Sequence, residues 1–260
     1  MVPVLRSLGM SDAGLDRWPG RLLYPHRDLD DSEISDWCAT CLAQSVLPSA
    51  QRPRMHRTGT VASLENMATL QPVVGTFKNL EACMIARSST LVVQPLLMRK
   101  VAQGHAPYPR PRDSFVGTIR RIVGPLHIGS LNSGHWVTVV WDFDAGNLLL
   151  LNSLPRCDVP PATVAQLLAT DAPWRAAYPK ATFPDTHTWQ VVRPSLQPQL
   201  ASECGLRACL WVWAFGAWPE HFARKCAANV DPMQGWVQDT GLVASVMAFV
   251  TWQCTVSGQQ

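Results

Sequence analysis

Two apolar runs, 136–143 and 147–152, are parted by Asp144-Ala145-Gly146 in "HWVTVVWDFDAGNLLLLNSLP". Runs of that length broken by an acidic-glycine turn predict a β-hairpin in the interior of a sheet. "THTWQVVRP" at 186–194 alternates like a further strand, and "RRIVGPLHIG" at 120–129 reads as strand-like. "PPATVAQLLAT" opens with prolines, as helix starts do. After Cys204 the positions Leu206, Ala208, Leu210, Trp211, Val212 and Phe215 are apolar on nearly every side. That pattern predicts a helix through the protein's middle, with Ser202 and Glu203 as cap and first-turn residues.

Upstream, "DLDDSEISDWCATCLAQSV" predicts a helix capped by Asp30, Asp31 or Ser32, with Ile34, Trp37, Cys38, Cys41 and Leu42 at helical spacing. A second helical patch is expected over 61–70, and two more helices around "PEHFARKCAANV" and "GLVASVMAFVTW". A helical first half followed by strands, then a helix behind the sheet, is an α+β layout. The expected divisions are an irregular lead-in over 1–27, a main domain over 28–218 and C-terminal helices over 219–260 packing on the same domain.

Composition narrows the partners. The 260 residues suffice for a sizeable core. A net charge of +3, from 22 basic and 19 acidic residues without a long run, gives no footprint for nucleic acid or a membrane surface. The 8 cysteines fit no small disulfide scaffold, and the first residues lack a signal peptide's apolar core. A reducing, intracellular setting is the expectation.

Cys204 is the residue whose setting suggests chemistry. A thiol at a helix mouth faces unpaired backbone N–H groups and the positive end of the helix dipole, and both favour the reactive thiolate. The plainer reading is core packing, since free cysteine is among the most buried residue types. A nucleophile needs a base, and the base an orienting group. His135 follows a Ser-Gly turn at the first residue of a buried strand, and Asn152 returns along the hairpin to the same edge of the sheet. An Asn amide oxygen can accept the imidazole N–H and fix its tautomer. Taken singly, His135 reads as a strand-edge residue bonded to a carbonyl, and Asn152 as a polar strand end. His127 competes as base.

"GHWVTVVWDFDAGNLLLLNSLP" followed at a distance by "ECGLRACLW" resembles the core of the SUMO and ubiquitin-like-protein proteases, papain-related, adenain-type cysteine peptidases. In that family a His-Trp opens one strand, an Asp-Ser-Leu ends the next, and a Gln precedes an Asp-Cys-Gly. "DLDDSEISDWC" also resembles the family's Trp-Leu-Asn-Asp helix start. The resemblance spans roughly 28–215 and implies a papain-like α+β fold, with a central Cys-bearing helix on a mixed sheet and a helical N-terminal part. By it, Cys204 would be the nucleophile, His135 the general base and Asn152 the orienting residue, with Trp136 walling the cleft.

The departures are specific. Asn152 stands where most members carry Asp, Glu203 replaces Asp, and Asp28 stands where the family has a roofing Trp. The family's oxyanion-hole Gln sits six residues before the cysteine, which here is Pro198. Gln197 is the expected substitute, with Gln199 second.

The resemblance therefore implies a peptidase or isopeptidase acting after a Gly-Gly-like C-terminus of a ubiquitin-like modifier or its conjugates. It would be a monomer in nucleus or cytoplasm, needing no cofactor or metal. An acyltransferase with the same Cys and His, or an impaired, mobile-element-derived domain that only binds a partner, are the alternatives. Cys38 and Cys41 lack a second ligand pair for zinc and read as core.

Overall fold

The computed structural model describes residues 60–63, 73–76, 82–85, 89–107, 117–129, 134–186, 188–196, 198, 204–217 and 219–231; for the first three segments only the backbone is described. The helix expected over 28–46, the tail helix around 241–252, and the cap residues Ser202 and Glu203 lie outside them.

Among the described residues, six strands form one mixed sheet in the order β10-β8-β7-β6-β4-β3. They are β3 (Ala82–Ile85), β4 (Thr90–Val93), β6 (Arg121–Ile128), β7 (His135–Asp142), β8 (Asn147–Leu151) and β10 (Gln190–Val192). The pairs β6–β7, β7–β8 and β3–β4 are antiparallel, while β4 lies parallel to β6 and β10 parallel to β8. The predicted hairpin is β7–β8, turning at 143–146. Gly146 has φ +64°, and a Cβ there would stand 2.6 Å from the Thr188 carbonyl oxygen, so the turn that admits β10 alongside needs glycine.

Two short pairs stand apart from this sheet: β1 (Thr60–Ser63) with β2 (Val73–Thr76), and β5 (Gly117–Thr118) with β9 (Ala181–Thr182). β1 corrects the helix expected over 61–70 at its first three residues, and 64–70 lie outside the described residues. Thr60 and Val61 are β-branched, and the segment pairs in register with "VVGT", so the antiparallel ladder overrides the helical spacing.

The helices among the described residues are α1 (Pro95–Ala102), α2 (Pro161–Leu168), α3 (Asp171–Ala177), α4 (Cys204–Ala217) and α5 (Pro219–Ala227). Strand alternation sorts them. Val137, Val139 and Trp141 join one core with Leu97, Met98 and Val101 of α1, Leu167 of α2 and Trp174 of α3. Trp141 donates its Nε1–H to the Leu167 carbonyl (3.1 Å) and meets Trp174 edge-on. The even-numbered residues face the other way, where α4 packs: Thr138 Oγ1 donates to the Ala208 carbonyl at 3.2 Å. The helix expected through the protein's middle is therefore α4, with Ala208, Cys209, Val212, Ala214 and Phe215 buried against the sheet and α5 beside it.

Candidate active site

His135 opens β7 and is only 4% exposed. Its Nε2 lies 2.8 Å from Asn152 Oδ1, just beyond the end of β8. Two backbone partners fix which way the Asn152 amide faces. The Leu154 N–H donates to Oδ1 at 2.8 Å, and Nδ2 donates to the Cys157 carbonyl at 3.0 Å. Oδ1 can only accept, so His135 Nε2 must carry the hydrogen in this bond. In the neutral ring Nδ1 then holds the lone pair, free to take a proton. A carboxylate is not needed to set this tautomer.

Burial holds the His135 pKa below its ordinary value. The Asn152 bond opposes that shift, and the neighbouring His127 adds to it. His127 pairs directly across the strands with Trp136, their rings edge-to-face at 4.9 Å. Trp136 is 4% exposed and takes the even register of β7, the side on which α4 packs.

Cys204 is the first residue of α4, 6% exposed and not in a disulfide. It sits where first-turn N–H groups lack intrahelical acceptors and the dipole favours an anion. His135 and Cys204 are thus the opening residues of the two elements that the Thr138–Ala208 bond ties together. Gln197 and Gln199 lie outside the described residues. Among the described residues, no group of three or more His, Cys, Asp or Glu is placed to hold a metal ion, and no helix is long and apolar enough to cross a membrane.

Sequence reading missed the turn behind Asn152. The Cys157 carbonyl and Leu154 N–H orient the amide, yet they are backbone groups that no side-chain motif announces. "NSLPRC" carries only the general signal that Asn favours bonds to nearby backbone.

No family model matches the chain, and no curated protein matches it in sequence. Solved structures do. The C-terminal Ulp1 protease domain, solved in complex with Smt3, the yeast ortholog of SUMO, is 13% identical with a TM-score of 0.51, covering 92% of this chain and 81% of that one. A de-sumoylating protease is also 13% identical, with a TM-score of 0.47 and coverage of 92% and 80%. The Chlamydia trachomatis effector ChlaDUB1 is 14% identical, with a TM-score of 0.42 and coverage of 95% and 91%. With a Cys-headed helix packed on a mixed sheet whose hairpin carries the His and Asn, this chain has the fold of the Ulp1-type cysteine proteases.

Proposed function

We propose that the protein is a cysteine peptidase or isopeptidase that cuts after a Gly-Gly-like C-terminus of a ubiquitin-like modifier. The observation that carries this reading is the His135–Asn152 bond, with the amide held so that Nδ1 is the basic nitrogen. The fold supports it by placing Cys204 at the head of the helix packed on the same strand.

In the reaction, His135 Nδ1 takes the proton from Cys204 Sγ. The thiolate attacks the carbonyl carbon and the electron pair of the C=O moves onto oxygen. Donors preorganised at that oxygen lower the barrier, and losing one typically costs about 2.7–4 kcal/mol. Gln197 and the Cys204 backbone N–H fill that role. Collapse of the intermediate breaks the C–N bond, and His135 passes its proton to the departing amine. Water, deprotonated by His135, then hydrolyses the thioester, and the sulfur leaves as thiolate to be reprotonated. Asn152 holds the ring's tautomer throughout, and Trp136 walls the cleft that receives the tail. No cofactor enters these steps.

The test is a panel of ubiquitin and ubiquitin-like proteins bearing a C-terminal electrophile, incubated with the parent protein and with Cys204→Ser. One covalent adduct, lost in the variant, is the expected result. A folded parent that forms no adduct with any member would overturn the modifier reading, and turnover persisting in Cys204→Ala would overturn the nucleophile.

A further inference from the structure

Between Trp136 and Trp141 of β7 every residue but one is apolar: Val137, Val139 and Val140 surround Thr138. Thr138 is fully buried. A buried hydroxyl costs free energy unless it is bonded, and this one donates to the Ala208 carbonyl of α4 at 3.2 Å. Valine has the same branched shape and would fill the place without that demand. Packing alone therefore favours valine, and what threonine adds is a directed contact to the helix.

The bond sits near the opening residue of each element. Thr138 stands three residues into β7 from His135, roughly 10 Å along a strand that rises about 3.3 Å per residue. Ala208 follows Cys204 by four residues, one helical turn or roughly 6 Å. Cys204 and Ala208 thus lie one above the other on the same face of α4, and both are buried. Cys209, Val212, Ala214 and Phe215 of the same helix are fully buried and apolar. Apolar contacts are non-directional, so they resist separation of helix and sheet more than sliding or rotation. A hydrogen bond weakens steeply with distance and angle, so it resists both.

We propose that Thr138 is a positioning residue of the candidate site: its bond to the Ala208 carbonyl sets where the head of α4 stands against the start of β7, and so sets Cys204 against His135. This rests on the reading of Cys204 as nucleophile and His135 as its base. A helix is stiff over a single turn, so a shift at Ala208 is carried whole to Cys204. Proton transfer and attack depend steeply on placement, where about 1 Å can cost 10²-fold in rate. No substrate can reach the buried Thr138, so a loosened pin lowers kcat and leaves KM in place.

Thr138→Val keeps the shape and deletes the donor, whereas Thr138→Ser keeps the donor and deletes a methyl group. The Ala208 carbonyl is not orphaned in Thr138→Val, since within the helix it also accepts from the Val212 N–H. The two variants should part in opposite directions. Thr138→Val should hold a thermal midpoint near or above the parent's, with KM unchanged and kcat down roughly tenfold, the rate equivalent of one hydrogen bond. Thr138→Ser should lower the midpoint, because it leaves a buried cavity, and restore most of the rate. Parent-like kcat in Thr138→Val, a change confined to KM, a loss of rate that merely follows the loss of folded protein, or an equal loss of kcat in Thr138→Ser would each overturn the proposal. Iodoacetamide reads the pair without turnover, because a thiol that meets its base less often is alkylated more slowly. Alkylation of the Cys204 peptide at neutral pH, followed by mass spectrometry, should slow in Thr138→Val and not in Thr138→Ser, and an unchanged rate overturns the positioning. Full turnover by Cys204→Ala would instead bring down the nucleophile assignment, leaving the alkylation result to stand or fall separately.

Discussion

At one end of β7, His135 shares a hydrogen bond with Asn152 in which neither partner need be charged. At the other end, Asp142 faces Arg121 from the paired position on β6, with both side chains at most 5% exposed. Arg121 reaches further, to Asp144 in the hairpin turn at 3.3 Å and to Glu220 on α5 at 3.1 Å. One strand thus carries two buried polar groups of similar exposure and opposite character. The Arg121 cluster is made of ions whose partners span three elements, so it behaves as a staple between the sheet and α5. The His135 end leaves a ring nitrogen available for a proton, which a staple has no use for. Burial alone does not mark a functional site; what the buried group still has left to donate or accept does.

The sharpest way to break this comparison is to remove one residue from each end. His135→Ala should lower turnover by roughly 10²–10⁴-fold, the usual contribution of a positioned acid–base group, with stability little changed. Single-turnover kinetics on the electrophile-free substrate would measure it. Arg121→Ala should do the reverse. It leaves Asp142 buried without its cation, a loss of about 3–5 kcal/mol in urea unfolding, while kcat per folded molecule stays near the parent value. If the two variants instead showed the same balance of lost rate and lost stability, the two ends would not be different in kind.

The two ends also differ in how far the sequence announces them. The hairpin was legible because both runs are apolar without a break and the turn between them is acidic-glycine, signals that local chemistry alone determines. His135, Asn152 and Cys204 were legible for the same reason: each sits at a boundary of a strongly patterned element. The Arg121 cluster was not. "GTIRRIVG" and "PEHFARK" are separated by nearly a hundred residues, and only the sheet register brings Arg121 opposite Asp142 and Glu220 within reach. The strand at Thr60–Ser63 was misread because four residues carry too little pattern to outvote a helical spacing, and its partner, Val73–Thr76, stands further along the chain.

Asn152→Ala tests the orienting bond itself. Without the amide, the ring loses a partner to Nε2 and can turn or take the other tautomer. Hydrogen bonds to a group that becomes charged are worth about 1.5–3 kcal/mol, so kcat should fall roughly ten- to a hundredfold, less than for His135→Ala. Rates for the parent and both variants at saturating substrate would rank them. Equal loss in the two variants would mean that the histidine works only when oriented, whereas no loss in Asn152→Ala would remove the amide from the mechanism.

The smallest effect is in the pH dependence of stability, and its sign separates the two ends again. Burial depresses the His135 pKa below 6.5, so the folded ring resists a proton that the unfolded ring accepts. The stability associated with it is fully present above about pH 6.5 and is lost as pH falls from there through the lower folded value. Asp142 runs the other way. Burial raises its pKa above 3.8 despite Arg121, so its contribution is present below 3.8 and is lost as pH rises through the raised value. Urea midpoints of parent and His135→Gln, compared between pH 7.5 and 5, isolate the histidine, since Asp142 is common to both. The parent should lose more stability than the variant across that span, because only the parent must keep a buried imidazole uncharged. Parallel curves would mean that His135 is as easily protonated in the folded chain as in the unfolded one, and the neutral, proton-accepting ring on which the contrast between the two ends of β7 depends would lose its physical basis.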